Sequence, residues 1–211
     1  MVRRLVIATN NGGKLREISS FLKGEFDEFY LLKDFAERVH VEEDGLTYLE
    51  NALKKARKVG DRFEITALAD DSGLEVEALN GRPGIYSSRY GNDDDERIER
   101  LLKELKGVPW EKRRAVFKSC FAYYLPDIEK SYCFFGILKG YIGFERKGRG
   151  GFGFDPIFYV PGLDRYLAEI SIEEKNKISH RGRALRALKG FLTKDLKQGP
   201  RTRTFSGHQS L

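Results

Sequence analysis

Hydrophobic and polar positions alternate along the chain with two periods, about two residues in some stretches and three to four in others. The apolar run at residues 4–9 predicts a first strand, and after Lys14 the apolar residues recur at helical spacing. The same spacing predicts a second helix, opened by the acidic cluster at 42–45 and ended by Gly60. A third helix is predicted to start at the aspartate triplet 93–95.

The middle of the chain is richer in strand signals. Residues 65–69 and 74–79 predict two strands joined by a polar turn. Residues 114–125 and 131–145 are aromatic and β-rich, which predicts a long antiparallel pair. Two closing helices are predicted near Ser171, which begins a capping box, and near His180.

Length and composition limit the class of protein. The 211 residues, 40% of them hydrophobic, are enough to bury a core. We predict one two-lobed domain over residues 1–194 and a basic polar tail over 195–211. Apolar stretches are too short for a membrane span or a secretory signal, so we expect a cytoplasmic protein without membrane association. Cys120 and Cys133 have no metal or redox spacing, which favours buried thiols.

The net charge of +6 indicates an anionic partner. A nucleic acid, a membrane surface and a polyphosphate metabolite all fit this charge. The basic residues are spread along the chain rather than gathered into one stripe. The charge alone therefore does not distinguish these three kinds of partner.

The loop between the first strand and the first helix is a candidate phosphate site. Asn10, Asn11, Gly12 and Gly13 tolerate unusual backbone angles, and a loop of this kind before a helix presents free N–H groups to an anion. Lys14, in the first helical turn, opposes the helix dipole unless it meets an anion. A plain turn is the alternative interpretation.

Acidic residues are clustered at three places. Asp70 and Asp71 follow an apolar run, where α/β proteins place ligand crevices, and neighbouring strand residues point to opposite faces. An acidic turn without function is the alternative there. The acidic cluster at 42–45, before the second helix, supplies either partners of the helix dipole or a Mg²⁺ ligand. The triplet at 93–95 favours helix capping over metal binding.

The glycine-rich stretch at residues 148–156 is a candidate binding loop. Its glycines let the backbone approach a flat ligand while the ring of Phe152 or Phe154 stacks on that ligand. An ordinary loop with two core phenylalanines is the alternative. His180 and Arg181 are likewise either ligand-binding residues or a polar helix start.

Four segments, in this order, closely resemble the inosine triphosphate pyrophosphatase family. They are TNNGGK at 9–14, ADDSGL at 69–74, GGFGFDPIF at 150–158 and SHRG at 179–182. Members of that family hydrolyse dITP, ITP and XTP to the monophosphate and pyrophosphate, and the resemblance extends over residues 4–192. It implies an α/β fold with a long twisted mixed sheet flanked by helices, a nucleotide cleft between two lobes, and a homodimer.

The resemblance also implies roles for individual residues. Asp71 and Glu42 would serve Mg²⁺, and Asp71 would also be the base that activates the water attacking the α-phosphorus. Phe154, which stands where many members have Tyr, would stack on the purine. His180 and Arg181 would donate hydrogen bonds to its 6-oxo oxygen.

The phosphates would be held by the first loop and by lysines. A triphosphate carries about four negative charges, so its site needs Mg²⁺ and cationic side chains. The resemblance implies Lys14 and, as a second cation, Lys175. The remaining implied substrate-binding residues are Thr9, Asn10, Asn11, Gly12, Gly13, Ser72, Phe152, Gly153 and Asp155.

Two other functions compete with this hypothesis. A related pyrophosphatase for modified pyrimidine or methylated nucleotides would share the phosphate site but would not need His180 and Arg181. A basic RNA- or DNA-binding module without catalysis would fit the charge, but no RNP-like or helix-turn-helix pattern appears. We therefore expect a purine nucleoside triphosphate as the partner and no stable nucleic acid complex.

Overall fold

Seven strands form one sheet, and α-helices pack on its two faces. The computed structural model describes residues 2–37 and 39–198. The strands are β1 Arg4–Ile7, β2 Glu28–Leu31, β3 Ala67–Val76, β4 Arg114–Leu125, β5 Lys130–Ile142, β6 Phe158–Val160 and β7 Arg165–Tyr166. The α-helices are α1 Gly12–Leu22, α2 Tyr48–Phe63, α3 Asp94–Glu104, α4 Ile172–Ile178 and α5 His180–Gln198.

The strand order is β2-β1-β3-β4-β5-β6-β7. β1 is parallel to β2 and β3, whereas every pairing from β3 to β7 is antiparallel. The predicted α/β fold with a mixed sheet and flanking helices is therefore confirmed. The predicted antiparallel pair is β4 and β5, and their residues are in register from Arg114 opposite Tyr141 to Leu125 opposite Lys130.

The polar turn predicted at Asp70 and Asp71 is wrong, because both lie in the middle of β3. This strand pairs with β4 without interruption, from Ala67 opposite Tyr124 to Val76 opposite Ala115. Gly73 is required by close packing rather than by a turn, since a Cβ atom there would lie 2.2 Å from the carbonyl oxygen of Gly84. The two carboxylates are thus held on a rigid strand.

Three hydrophobic clusters meet around this polar segment of β3. Leu68 belongs to a cluster with α1 and α5, whereas Ala69 belongs to a cluster with α2 on the other face of the sheet. Beyond the aspartates, Leu74 and Val76 enter a third cluster with α3 and the far ends of β4 and β5. Asp70 and Asp71 therefore lie at the boundary between separate cores, where a cavity is compatible with the packing.

Two predicted boundaries differ from the structure. α2 begins at Tyr48, after Thr47 caps it by accepting a hydrogen bond from the Glu50 amide, so the acidic cluster at 42–45 precedes the helix instead of opening it. α5 continues past residue 194 to Gln198. The rest of the predicted tail, 199–211, lies outside the described residues. Within the described ranges, every helix is too short or too polar to cross a membrane.

Candidate active site

A cavity of 320 Å³ opens where the loop before α1, the middle of β3, the glycine-rich loop and the start of α5 meet. Residues from all four resembling segments contribute to its walls. Among the residues predicted from the sequence, those lining it are Thr9, Asn10, Asn11, Lys14, Asp71, Ser72, Phe152, Gly153, Phe154, Asp155, His180 and Arg181.

The loop before α1 is held by its own side chains. Asn11 caps the helix, since its side-chain oxygen accepts a hydrogen bond from the Lys14 amide at 3.0 Å, and Thr9 accepts one from the Asn11 amide. Gly12 and Gly13 are the first residues of α1 and do not line the cavity. Gly13 instead permits close packing, because a Cβ atom there would lie 2.5 Å from the Phe152 ring.

Asp70 is buried at the centre of a charged network. Its carboxylate lies 2.8 Å from the Lys14 ammonium and 3.3 Å from the Arg181 Nε, and it also accepts hydrogen bonds from Ser72 and Ser119. Burial acts to raise the pKa of Asp70, but Lys14 and Arg181 outweigh it and hold that pKa well below its usual range. Asp70 is therefore an ionised anchor for the cations of the site.

Asp71 points to the opposite face of β3, as predicted. Asn51 donates a hydrogen bond to its carboxylate at 3.1 Å, and the Lys55 ammonium lies 3.4 Å away. Burial raises the pKa of Asp71 above its ordinary value, although Lys55 and Lys14 act to lower it. A buried carboxylate with a raised pKa at the wall of a cavity is suited to accept a proton.

Lys55 is a site residue that the sequence analysis did not identify. Its ammonium lies 2.8 Å from the Glu43 carboxylate and 2.7 Å from the Asp70 carbonyl oxygen, in addition to its contact with Asp71. Burial acts to raise the pKa of Glu43, but Lys55 outweighs it, so the net shift is downward. One lysine thus joins the carboxylates of Glu43 and Asp71 beside the cavity.

The structure places Glu43, rather than Glu42, next to Asp71. Glu43 lines the cavity, whereas the neighbouring Glu42 is exposed to solvent and does not line it. The structure therefore does not bring Glu42 to the cavity beside Asp71. Adjacent glutamates in an irregular segment have no periodicity that would show which of them turns inward.

Lys175 lies in a buried ion network behind the glycine-rich loop. Its ammonium lies 2.7 Å from the Glu17 carboxylate and 2.5 Å from that of Asp155, and its side chain is 3% exposed. It does not line the cavity. Asp155 in turn accepts a hydrogen bond from the Phe152 amide at 2.9 Å. The Lys175 ammonium is thus paired with two buried carboxylates, whereas that of Lys55 lies at the cavity wall.

We expect Lys175→Met to lower the free energy of unfolding by about 3–5 kcal/mol. The substitution leaves the buried carboxylates of Glu17 and Asp155 without their shared cation. Denaturant unfolding measures the effect, with Lys177→Met, an exposed lysine of the same helix, as the control. Equal stability of the two variants would contradict a structural role for Lys175.

His180 and Arg181 lie at the start of α5 but have different surroundings. Arg181 donates hydrogen bonds to Asp70, to Glu17 at 3.0 Å and to Ser72 at 3.1 Å. The His180 ring is buried and stacks on Phe117, and among the residues that the structure describes neither of its nitrogens has a hydrogen-bond partner. Burial holds the pKa of His180 well below its ordinary value, so the ring is neutral at pH 7. A neutral ring has one donor and one acceptor nitrogen to offer a ligand.

The two phenylalanines of the glycine-rich loop also differ. Phe154 is 4% exposed and packs in the cluster with α3, so only part of its surface lines the cavity. Phe152 is half-buried, and its ring lies 4.7 Å from the Lys175 ammonium and 4.9 Å from the Arg181 guanidinium. Phe152 therefore offers more ring surface to a ligand than Phe154 does.

One sequence signal could have identified two of the missed residues. Asn51 and Lys55 lie one helical turn apart on α2 and share its buried side with Ala52 and Ala56. Polar side chains on the apolar side of an amphipathic helix indicate a polar partner inside the protein. Glu17, buried on α1 beside Ile18, carries the same signal.

Comparison with known proteins gives the same family along almost the whole chain. A sequence model of the Ham1 family matches residues 5–191. The dITP/XTP pyrophosphatase of Geobacter sulfurreducens is 48% identical over 192 residues, which are 90% of this chain and 96% of that protein. The dITP/XTP pyrophosphatase of Thermoanaerobacter pseudethanolicus is 44% identical over 198 residues, 92% of this chain and 99% of that protein.

Solved structures agree with these sequence relatives. A HAM1 protein from Coxiella burnetii superposes with a TM-score of 0.82 at 39% identity, covering 92% of this chain and all of that one. The Staphylococcus aureus Ham1 protein gives a TM-score of 0.80 at 40% identity, over 91% of this chain and 99% of that one. The family resemblance seen in the four segments is confirmed: the chain belongs to the Ham1 family.

Proposed function

We propose that this protein hydrolyses the non-standard purine nucleoside triphosphates dITP, ITP and XTP to nucleoside monophosphate and pyrophosphate. The observation that carries the proposal is the convergence of Lys14, Asp71 and the unpaired ring of His180 on one cavity. A triphosphate needs a cation, which Lys14 supplies, and its attacking water needs a base, which Asp71 supplies. A 6-oxopurine needs a hydrogen-bond donor, which the His180 ring supplies. The dITP/XTP pyrophosphatase relatives support the proposal.

Mg²⁺ is the proposed cofactor, and the donor set suits it. Within the described residues, no three His, Cys, Asp or Glu side chains are grouped as ready ligands. Asp71 and Glu43 line the cavity together, and Mg²⁺ is usually bound by one or two carboxylates with water and phosphate oxygens. We therefore assign Asp71 and Glu43 as its ligands. Mg²⁺ would neutralise phosphate charge and polarise the phosphoryl oxygens.

The proposed reaction is an in-line attack of water on the α-phosphorus. A new bond forms between the water oxygen and phosphorus, while the bond from phosphorus to the oxygen bridging to the β-phosphate breaks. Pyrophosphate leaves with that electron pair, and the proton of the water passes to Asp71. Lys14 and the loop before α1 hold the phosphates, and Lys55 adds charge beside the α-phosphate.

Purine selection is assigned to the start of α5 and the glycine-rich loop. The neutral His180 ring donates a hydrogen bond to the 6-oxo oxygen, and Arg181, held by Asp70 and Glu17, adds positive potential at the same end. Phe152 and Phe154 provide the wall against which the base packs. Adenine has an amino group in place of the 6-oxo oxygen. In ATP that amino donor would face the His180 donor without a hydrogen bond, which disfavours ATP.

Pyrophosphate release over a panel of ATP, GTP, ITP, XTP and dITP, with and without Mg²⁺, tests the function. We expect hydrolysis of ITP, XTP and dITP only when Mg²⁺ is present. Preference for a modified pyrimidine or methylated nucleotide added to the panel would favour the rival pyrophosphatase. Binding to single-stranded RNA or DNA without any hydrolysis would favour a nucleic-acid-binding module.

We expect Lys55→Met to shift the acid limb of the kcat/KM profile to higher pH. The Asp71 carboxylate must be ionised to accept a proton, and Lys55 acts to lower its pKa. Loss of Lys55 raises that pKa further, so Asp71 is protonated at a higher pH. Initial rates with ITP from pH 5 upward measure the shift, with the exposed neighbour Lys54 changed to Met as the control. An acid limb that stays in place would contradict the assignment of Asp71 as base.

The remaining expectations are a cytoplasmic location, two lobes around the nucleotide cleft, and a homodimer. Exposed apolar side chains of β5, Phe135 at 59% and Ile137 at 42%, support the dimer, because such a patch is stabilised by being covered. Light scattering of the wild type and of Phe135→Ser tests the dimer. A wild-type protein that is a monomer at micromolar concentration would rule it out.

A further inference from the structure

The aspartate triplet before and within α3 has three separate roles, and one of them concerns the cavity. Asp93 is the cap of the helix, since it accepts a hydrogen bond from the Glu96 amide. Asp95 is exposed and pairs with Arg146. Asp94 instead accepts a hydrogen bond from the Gly153 amide at 2.7 Å. Helix capping therefore explains only the first residue of the triplet.

The contact made by Asp94 lies inside the glycine-rich loop, 59 positions further along the chain. Gly153 separates Phe152, the half-buried wall of the cavity, from Phe154, which is anchored in the core. The Phe152 amide is held by Asp155 and the Gly153 amide by Asp94. Two carboxylates thus fix two successive amides, and the carboxylate on the Gly153 amide comes from α3.

Arg97 holds Asp94 in place. Its guanidinium lies 2.6 Å from the other carboxylate oxygen of Asp94, and it also donates to the carbonyl of Gly91. Both Asp94 and Arg97 line the cavity. A carboxylate with one oxygen on a guanidinium and the other on an amide has a fixed orientation, because charge-assisted hydrogen bonds are short and strong.

We propose that Asp94 is a positioning residue for the nucleotide base: it fixes the Gly153 backbone so that Phe152 and the adjoining loop form a rigid wall of the base site. Arg97 orients Asp94 for this role. The proposal rests on the proposed function, since it takes the base of a purine nucleoside triphosphate as the ligand at this wall. It assigns to Asp94 no contact with the phosphates or with Asp71.

Loss of Asp94 should therefore weaken substrate binding without slowing the chemical step. Without Asp94 the Gly153 amide has no fixed partner, and the loop gains freedom that the substrate must remove on binding. We expect Asp94→Ala to raise KM for ITP about tenfold, the effect of one hydrogen bond to a charged group. We expect kcat to change by less than about threefold, because the groups around the α-phosphate are untouched.

The test combines steady-state kinetics with amide exchange in the substrate-free protein. Hydrogen–deuterium exchange of a peptide covering residues 150–155 should be faster in Asp94→Ala than in the wild type. Asp95→Ala removes the neighbouring acidic residue of the same helical turn and is the matched control, expected to change neither KM nor exchange. Asp94→Asn keeps an oxygen acceptor, so it should recover most of the protection and of the KM.

The outcomes separate this proposal from the function on which it rests. Unchanged exchange in Asp94→Ala overturns the positioning role, and so does a rise in KM that Asp95→Ala shares. If Asp94→Ala does not fold, Asp94→Ser is measured in its place, and unchanged exchange in that variant overturns the role. A wild-type protein that does not hydrolyse ITP refutes the proposed function, while the exchange result still shows whether Asp94 holds the loop.

Discussion

Asp71→Asn is expected to reduce turnover of ITP by about 10²–10⁴, the usual contribution of general-base catalysis. The amide is nearly the same size as the carboxylate but cannot accept a proton from the attacking water. Its side-chain oxygen can still accept the hydrogen bond from Asn51, which in turn is oriented by the Gly45 amide at 2.9 Å. The fold should therefore survive the change.

The measurement is pyrophosphate release at saturating ITP and Mg²⁺, together with a thermal melt. Asp127→Asn is the matched control, since Asp127 is exposed in the turn between β4 and β5 and lies outside the cavity. A folded Asp71→Asn protein with near wild-type turnover would remove Asp71 from the mechanism. A large loss of stability would show instead that its carboxylate has a structural role beside Lys55.

The second large effect concerns the base. The wild type is expected to prefer ITP over ATP by roughly 10⁴–10⁵ in kcat/KM, because a site built to hydrogen-bond one group rejects a ligand with the wrong group there. His180→Phe keeps the stacking on Phe117 but removes both ring nitrogens. We expect it to lower kcat/KM for ITP about 10–100-fold, the effect of one lost hydrogen bond in a buried site. It should not lower kcat/KM for ATP, because the donor that opposes the adenine amino group is removed.

Three results would bear on this assignment. Equal kcat/KM for ITP and ATP in the wild type would exclude selection by donors altogether. An equal loss for both nucleotides in His180→Phe would place His180 in the fold rather than in base selection. His180→Asn retains an N–H donor close to the original position, so it should recover part of the ITP activity if donation to the 6-oxo oxygen is what matters.

Much of the secondary structure was predictable from local pattern. The helical spacing after Lys14, the triplet at 93–95 and the aromatic stretch at 114–125 each correspond to an observed element. These elements follow from amphipathic periodicity and capping, which are properties of neighbouring residues. The polar turn predicted at Asp70 and Asp71 was wrong. Adjacent carboxylates followed by a glycine have the composition of a turn, but their pairing with β4 depends on residues some fifty positions away.

The site was predictable as a set of motifs but not as a set of contacts. Twelve predicted residues line the cavity, whereas Gly12, Gly13, Glu42 and Lys175 do not. The sequence could not show that Glu43 rather than Glu42 lines the cavity, because the segment before α2 has no period that would orient either side chain. Lys175 is buried in an ion pair with Glu17. Glu17 lies on a different helix, so no local sequence pattern shows that the two residues are partners.

Local sequence pattern thus identified the strand, loop and helix at the N-terminus, the paired aspartates, the glycine-rich loop and the start of α5. These four segments in turn identified the family. Only the tertiary structure decided which polar groups pair with one another. Lys14 pairs with Asp70, Lys55 with Glu43 and Asp71, and the Asp94 carboxylate with the Gly153 amide. Periodicity and capping act over one or two turns, so the sequence shows them directly. Ion pairs between distant segments depend on how the sheet and helices pack, since burial strengthens whichever charges that packing brings together.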